Sequence, residues 1–204
     1  MKLNRLEFIA MNNPIREMVR ERYEMKIMRS STNRGHFNTV LEIGCGNGGG
    51  TRLIRKYFTP IRIEAIDFDE KMISIAKKRN KDFEVTFQRM DATKLDFPDS
   101  HFDAVFDFGI IHHISDWKAC LMELKRVLKP EGELILADLS LDSFTTGTGK
   151  LWKIITDHPY ESLYTPGEFV DYLKEIGFKI THYQETYPLK FVKYFFVNAS
   201  LSHK

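Results

Sequence analysis

Thr39–Ile43, an apolar run of strand length, passes directly into Gly44-Cys-Gly-Asn-Gly-Gly-Gly50 and then into Thr51–Tyr57, which reads as the start of a helix. Glycines this dense at a strand-to-helix junction let the backbone take positive φ and approach a ligand closely. The junction restricts the fold because it opens an alternation of strands and helices, the pattern of a parallel sheet covered on both faces.

The alternation continues downstream. Strands are expected at Arg62–Asp67, Glu84–Arg89, His101–Phe108 and Glu133–Leu139. Asp69 is a fair N-cap for a helix whose Met72, Ile73 and Ala76 share one face. Trp117, Cys120, Leu121, Leu124, Val127 and Leu128 follow helical spacing, and Pro130 with Gly132 is expected to stop that helix. Thr165-Pro-Gly-Glu168 combines a capping box with Pro at the first helical position, and Gly177 marks the end of the last helix. Lys179–Tyr187 and Lys193–Ser200 are β-rich, and Pro188–Val192 between them is too short for a crossover helix, so they must pair antiparallel.

The predicted class is therefore α/β: a seven-stranded, mostly parallel sheet with an antiparallel C-terminal hairpin and helices on both faces. Residues 1–204 suit one domain. Within it, 1–36 reads as a helical cap of one or two polar helices, broken at Pro14, and 37–204 as the core. The stretch 140–164 carries Phe144, Trp152, Tyr160 and Tyr164, which serve either as the roof of a substrate pocket or as core over the sheet edge. Phe191, Tyr194, Phe195 and Phe196 are expected to alternate into the core of the hairpin.

Composition narrows the function classes. A net charge of +2 supplies no global field for nucleic acid or an anionic membrane. Residues 1–36 hold eight Lys/Arg against four Glu, which spread along a helix makes a solvated face. Cys45 and Cys120 lack metal-type spacing, and the first ten residues are too polar for a leader, so a cytoplasmic setting is expected. No apolar run nears the roughly 20 residues of a membrane span.

In an open α/β sheet, ligands bind at the carboxyl ends of the strands. The loop there reads in two ways. Gly44, Gly46 and Gly49 spell G-x-G-x-x-G, a dinucleotide fingerprint, while Glu42, Gly44, Gly46 and Gly48 spell E-x-G-x-G-x-G, the loop of an S-adenosylmethionine site. Asp67, at the end of the second strand, suits vicinal ribose hydroxyls in either case. Asp91, after the third, can accept from an adenine amino group while the Ala92 N–H donates to the ring. No tyrosine has a lysine four residues on, as short-chain dehydrogenases require. Glu42 suits a positively charged sulfonium ligand.

The stretches "VLEIGCGNGGGT", "IEAIDFDEKM", "RMDATKLDFPDSHFDAVFDFGIIHHISD" and "ELKRVLKPEGELILAD" resemble successive motifs of class I S-adenosylmethionine-dependent methyltransferases, and most closely the small-molecule branch with quinone- and sterol-type enzymes. The resemblance runs from about Thr39 to Asp138 and implies a Rossmann-like fold with S-adenosylmethionine as cofactor. It implies that Gly44, Cys45, Gly46 and Gly48 line the methionyl part, with Glu42 organising the loop. Asp67 would hold the ribose, Phe68 and Met72 would flank the adenine, Asp91 and Ala92 would read its edge, and Phe108 would offer its carbonyl to the cofactor's amino group.

His112 and His113 follow the fourth strand and face the expected methyl donor, so either is a candidate general base, with His113 the better placed. Some similar enzymes pair a His there with a Tyr from an N-terminal helix, a part open to Tyr23. Asp107 and Asp138 end central strands, yet Asp138 lacks the following Asn of metal-dependent relatives, so no metal is expected and Asp138 reads as a strand-end hydrogen-bonding residue. The expected function is methyl transfer to a small or medium, partly apolar acceptor. A protein or RNA methyltransferase and a non-catalytic S-adenosylmethionine-binding protein are the alternatives.

Overall fold

The computed structural model describes residues 14–34, 36–81, 84–145, 160–187 and 193–201. Trp152, Phe191 and the connection Pro188–Val192 lie outside the described residues. The N-terminal segment is a run of helix: α1 (Pro14–Val19), a π-helical turn (Arg20–Glu24) and α2 (Met25–Ser30). Then come β1 (Thr39–Ile43), α3 (Gly49–Phe58), β2 (Arg62–Asp67), α4 (Glu70–Arg79), β3 (Val85–Arg89) and β4 (Phe102–Asp107). A 3-10 turn (Ile111–His113) leads to α5 (Trp117–Val127), β5 (Leu128–Asp138) and α6 (Leu141–Thr145). After a 3-10 turn at Tyr160–Ser162, α7 (Pro166–Glu175), β6 (Phe178–Thr186) and β7 (Tyr194–Leu201) complete the described chain.

The strands form one seven-stranded sheet in the order β3-β2-β1-β4-β5-β7-β6. The neighbours from β3 to β5 pair in parallel, and β7 runs antiparallel to both β5 and β6. The expected hairpin is present, with the later strand inserted between β5 and its own partner.

Alternation along the central strands sends consecutive side chains to opposite faces, and both faces are covered. Leu41, Val105, Leu134 and Leu136 pack with Cys120, Leu121 and Leu124 of α5 and Phe169 and Leu173 of α7. Val40, Ala104, Phe106 and Ile135 pack on the other face with Ile54 and Phe58 of α3, Ile73 and Ala76 of α4, and Met25 and Met28 of α2. Phe195 and Phe196, neighbours on β7, divide between the two.

Local chemistry sets the element ends. Asp69 accepts from the Lys71 N–H at 2.9 Å as the N-cap of α4, and the Thr165–Glu168 capping box closes reciprocally. Gly177, at φ +97, follows α7 where the sequence placed its stop. One boundary differs from expectation. α5 ends at Val127, and Leu128 is already paired with Phe102, so Pro130 lies within β5. The register against β4 breaks between Phe102 and Ala104, with Glu131 at φ +61 absorbing the excursion before Glu133 rejoins the ladder.

Candidate active site

The carboxyl ends of β1, β2 and β4 and the loop after β3 surround a cavity of about 440 Å³, within the ~300–1,000 Å³ span of small-molecule sites. Glu42, Gly44, Cys45, Gly46, Asp67, Phe68, Met72, Asp91, Ala92 and Phe108, each singled out from the sequence, line it. His113 lines it as well.

The glycines of the loop do different work. At Gly44, φ +61, an added Cβ would stand 2.4 Å from the Ile110 side chain, so the loop crosses the β4 end only because that carbon is absent. At Gly46, φ +54, an added Cβ would meet nothing within 4 Å, so this residue faces open space. Gly48 corrects the sequence reading: it is outside the cavity lining, where its absent Cβ makes room for Ala76 of α4 and for Asn80, which caps that helix. It serves as the left-handed N-cap of α3 at φ +80. Beneath the loop, Glu42 is 1% exposed and accepts from the Thr51 hydroxyl. Burial pushes its carboxyl up to about 8, opposed by that bond and by the nearby Arg20 charge.

Asp67 ties the loop to β2. Its Oδ2 accepts from the Gly46 N–H at 2.9 Å and its Oδ1 from the Asp69 N–H at 2.8 Å. Burial raises its carboxyl pKa, and the two backbone bonds work against that rise. Each oxygen keeps a further lone pair, which suits a carboxylate meeting two adjacent hydroxyls. Met72 is buried at the cavity wall, whereas Phe68 is 46% exposed at its rim with the Arg89 guanidinium 5.8 Å from its ring centre. Asp91 accepts from the Thr93 N–H and hydroxyl at 2.9 and 2.8 Å, both through Oδ1.

The ends of β4 and β5 are organised by side chains. Asp138, fully buried, receives four donors: the His112 N–H at 3.1 Å, His112 Nδ1 at 2.5 Å, the Leu139 N–H at 2.7 Å and the Tyr164 hydroxyl at 2.7 Å. This agrees with the strand-end hydrogen-bonding role expected for Asp138. It also corrects the pairing of the two histidines as candidate bases, because His112 is 3% exposed, points to Asp138 and does not line the cavity. The His113 ring lies 4.1 Å from it, centre to centre, on the cavity side. Phe144 and Tyr164, at 3% and 2% exposure, take the core alternative rather than the roof.

Tyr23 is the third correction. It is 43% exposed and absent from the lining, so it does not meet His113. Arg20 enters the cavity instead, with its guanidinium 5.3 Å from the Phe108 ring centre. The cause is the anchoring of the N-terminal helix. Glu17 binds Arg52 and Arg79 at 2.9 and 2.8 Å, and Glu21 binds Lys56 and Tyr57, which fixes the rotation that turns Arg20 inward. Sequence reading missed Arg20 because its signal, a cation on the apolar side of a polar helix, becomes visible only once the helix register is known.

Comparison with known proteins agrees with this geometry. Residues 41–136 match the "Methyltransferase domain" family. The chain is 31% identical over 163 residues to the demethylmenaquinone methyltransferase of Thermotoga maritima, an alignment covering 70% of each. It is also 31% identical over 119 residues to the fatty-acid O-methyltransferase of Mycolicibacterium smegmatis, covering 57% of this chain and 43% of that one. This chain thus spans less than half of that relative's length. The crystal structure of a SAM dependent methyltransferase from Aquifex aeolicus superposes with a TM-score of 0.75 at 23% identity, over 98% of this chain and 100% of that one, and supports the fold. The chain belongs to the class I S-adenosylmethionine-dependent methyltransferases.

Proposed function

We propose that this protein transfers a methyl group from S-adenosylmethionine to a small or medium, partly apolar acceptor of quinone-like or fatty-acyl character. The observation that carries the reading is the convergence of the Gly44–Gly46 loop, Asp67 and Asp91 on one cavity whose remaining wall includes Phe68, Met90, Ile110 and Ile114. When bound, the cofactor supplies a methyl group on a positively charged sulfur. Asp67 takes the ribose hydroxyls, Asp91 and the Ala92 N–H take the adenine edge, and Phe68 and Met72 flank the ring. Arg20, within the cavity, offers its guanidinium to the methionyl carboxylate. Gly46 leaves the backbone bare where the methionyl chain passes. His113 accepts the proton of the acceptor at a ring nitrogen.

The helical segment within 1–36 closes the acceptor side in this reading, supported by Arg20 in the lining. Two buried free cysteines and the near-balanced charge support a cytoplasmic setting without a nucleic-acid partner. Among the described residues no helix is long and apolar enough to cross a membrane.

Calorimetric titration of the full chain with S-adenosylmethionine, S-adenosylhomocysteine and NADH tests the cofactor. The first two are expected to bind and NADH to fail. Transfer of labelled methyl is then followed into a demethylated quinol, a long-chain fatty acid, a protein fraction and an RNA fraction. Label in the first pair supports the proposal, label confined to protein or RNA replaces its acceptor class, and binding with no transfer replaces it with a sensor. His113→Ala is expected to lose about 10²–10⁴-fold in turnover with cofactor affinity retained.

A further inference from the structure

A pair of adjacent histidines performs two different tasks at the β4 end. His113 borders the cavity, and His112 lies behind it with its ring 4.1 Å away and its Nδ1 held by Asp138. A carboxylate only accepts, so with Asp138 in that form His112 Nδ1 is the donor and the contact selects that tautomer. Tyr164 and the Leu139 N–H hold Asp138 from other sides, which leaves the His112 ring little freedom. Next to Asp138, burial and then the Asp138 charge raise the Asp107 carboxyl well above its ordinary range. Four groups converge on the Asp138 oxygens, the arrangement that suits an accepting carboxylate.

We propose that His112, clamped by Asp138, is a positioning residue for His113: it sets the plane of the His113 ring at the cavity wall and backs it with a buried negative charge. The inference rests on the reading of His113 as the base. The proton that His113 takes from an acceptor hydroxyl converts it to an imidazolium, which the Asp138 charge favours through the His112 ring, and the proton passes to water when the site opens. Other titratable or charged groups surround the pair. Asp107 and Cys120 lie behind it, both with pKa values raised by burial, and Arg20, Asp91 and Asp116 line the cavity in front. Of these, Asp138 is the one bonded to His112.

The test is a side-chain NMR titration of the full chain with labelled histidine, followed by pH–rate profiles on whichever acceptor accepts methyl. Asp138→Asn removes the charge and keeps the shape, so the His113 midpoint is expected to fall by about one pH unit, as for loss of a charge a few residues' width away. The acid limb of the kcat profile should move down with it, while KM for the cofactor stays within about twofold. An unchanged His113 midpoint in folded Asp138→Asn overturns the positioning inference alone. His112→Asn keeps an N–H near Asp138 and removes the ring, which guards against a folding failure of the first variant. It should lower kcat about tenfold or more with cofactor KM retained, and wild-type kcat would overturn the inference. Wild-type transfer by His113→Gln would overturn the base reading itself, whatever the titration shows.

Discussion

The ends of β1 and β2 and the end of β4 border the same cavity, the last backed by the end of β5, and the two sides are built in opposite ways. On the first side a carboxylate, Asp67, accepts two backbone N–H groups and stays at the cavity wall. On the second a carboxylate, Asp138, accepts from two side-chain donors and two backbone donors and is withdrawn entirely from solvent. The sequence spans involved are similar: 21 residues from Gly46 to Asp67, and 26 from His112 to Asp138. The difference is therefore one of chemistry and not of distance. Backbone donors are supplied by any loop of the right shape. Side-chain donors demand particular residues in particular rotamers. The first side is a holder built on backbone donors, and the second is a network in which every member has a partner to lose.

The sharpest way to break this contrast is at Gly44, where the two sides touch. Gly44→Ala drives a Cβ to 2.4 Å from Ile110 at φ +61, whereas Gly46→Ala meets nothing within 4 Å at φ +54. The first is expected to cost about 2–4 kcal/mol in urea unfolding and the second about 1 kcal/mol from backbone strain. Equal losses would mean that strain alone governs the loop and that the sides are not in steric register.

Asp67→Ala comes next. It removes the acceptor shared by Gly46 and Asp69 and should weaken S-adenosylmethionine binding at least tenfold, or about 1.4 kcal/mol. The His113 NMR titration should be unmoved if the two sides are independent. Unaltered calorimetric affinity in the folded variant would remove the ribose assignment.

A further effect, read as a pH dependence, concerns Glu42, buried under the loop. Its folded-state value is raised from 4.5 to about 8, so the protonated form favours the fold. That contribution is complete below about 4.5 and is lost as pH climbs through about 8. Glu42→Gln mimics the protonated form, so its unfolding free energy should decline less than that of the wild type between those limits. Parallel pH curves for the two proteins would show that Glu42 is ionised throughout.

The first side was legible from the sequence because its residues announce themselves by place: Asp67 ends a strand, Asp91 follows one, and the glycines sit where a strand meets a helix. Much of the sheet was legible for the same reason, through apolar runs punctuated by caps such as Asp69 and Thr165. The second side was not. Two identical neighbours in a 3-10 turn carry no local mark of which faces inward, and the division between His112 and His113 follows from where β5 delivers Asp138. Arg20 and Tyr23 pose the same problem on a helix. A π-helical turn and the anchoring of Glu17 and Glu21 decide which of them enters the cavity. Strand order was hidden as well, since antiparallel pairing of the last two strands does not reveal that β7 sits inside.

That inside position bears on how the protein is made. β7, the final described strand, lies between β5 and β6 with Phe195, Phe196 and Val197 each 1% exposed. A nascent chain that has emerged as far as β6 has no neighbour to place against β5, so one full ladder edge of the sheet stays open. Synthesis of β7, and not the completion of the cofactor loop, is the event that closes the sheet. Until then a chain with its binding residues already synthesised is a client for chaperones, and a cut before Tyr194 removes an interior strand and not an edge.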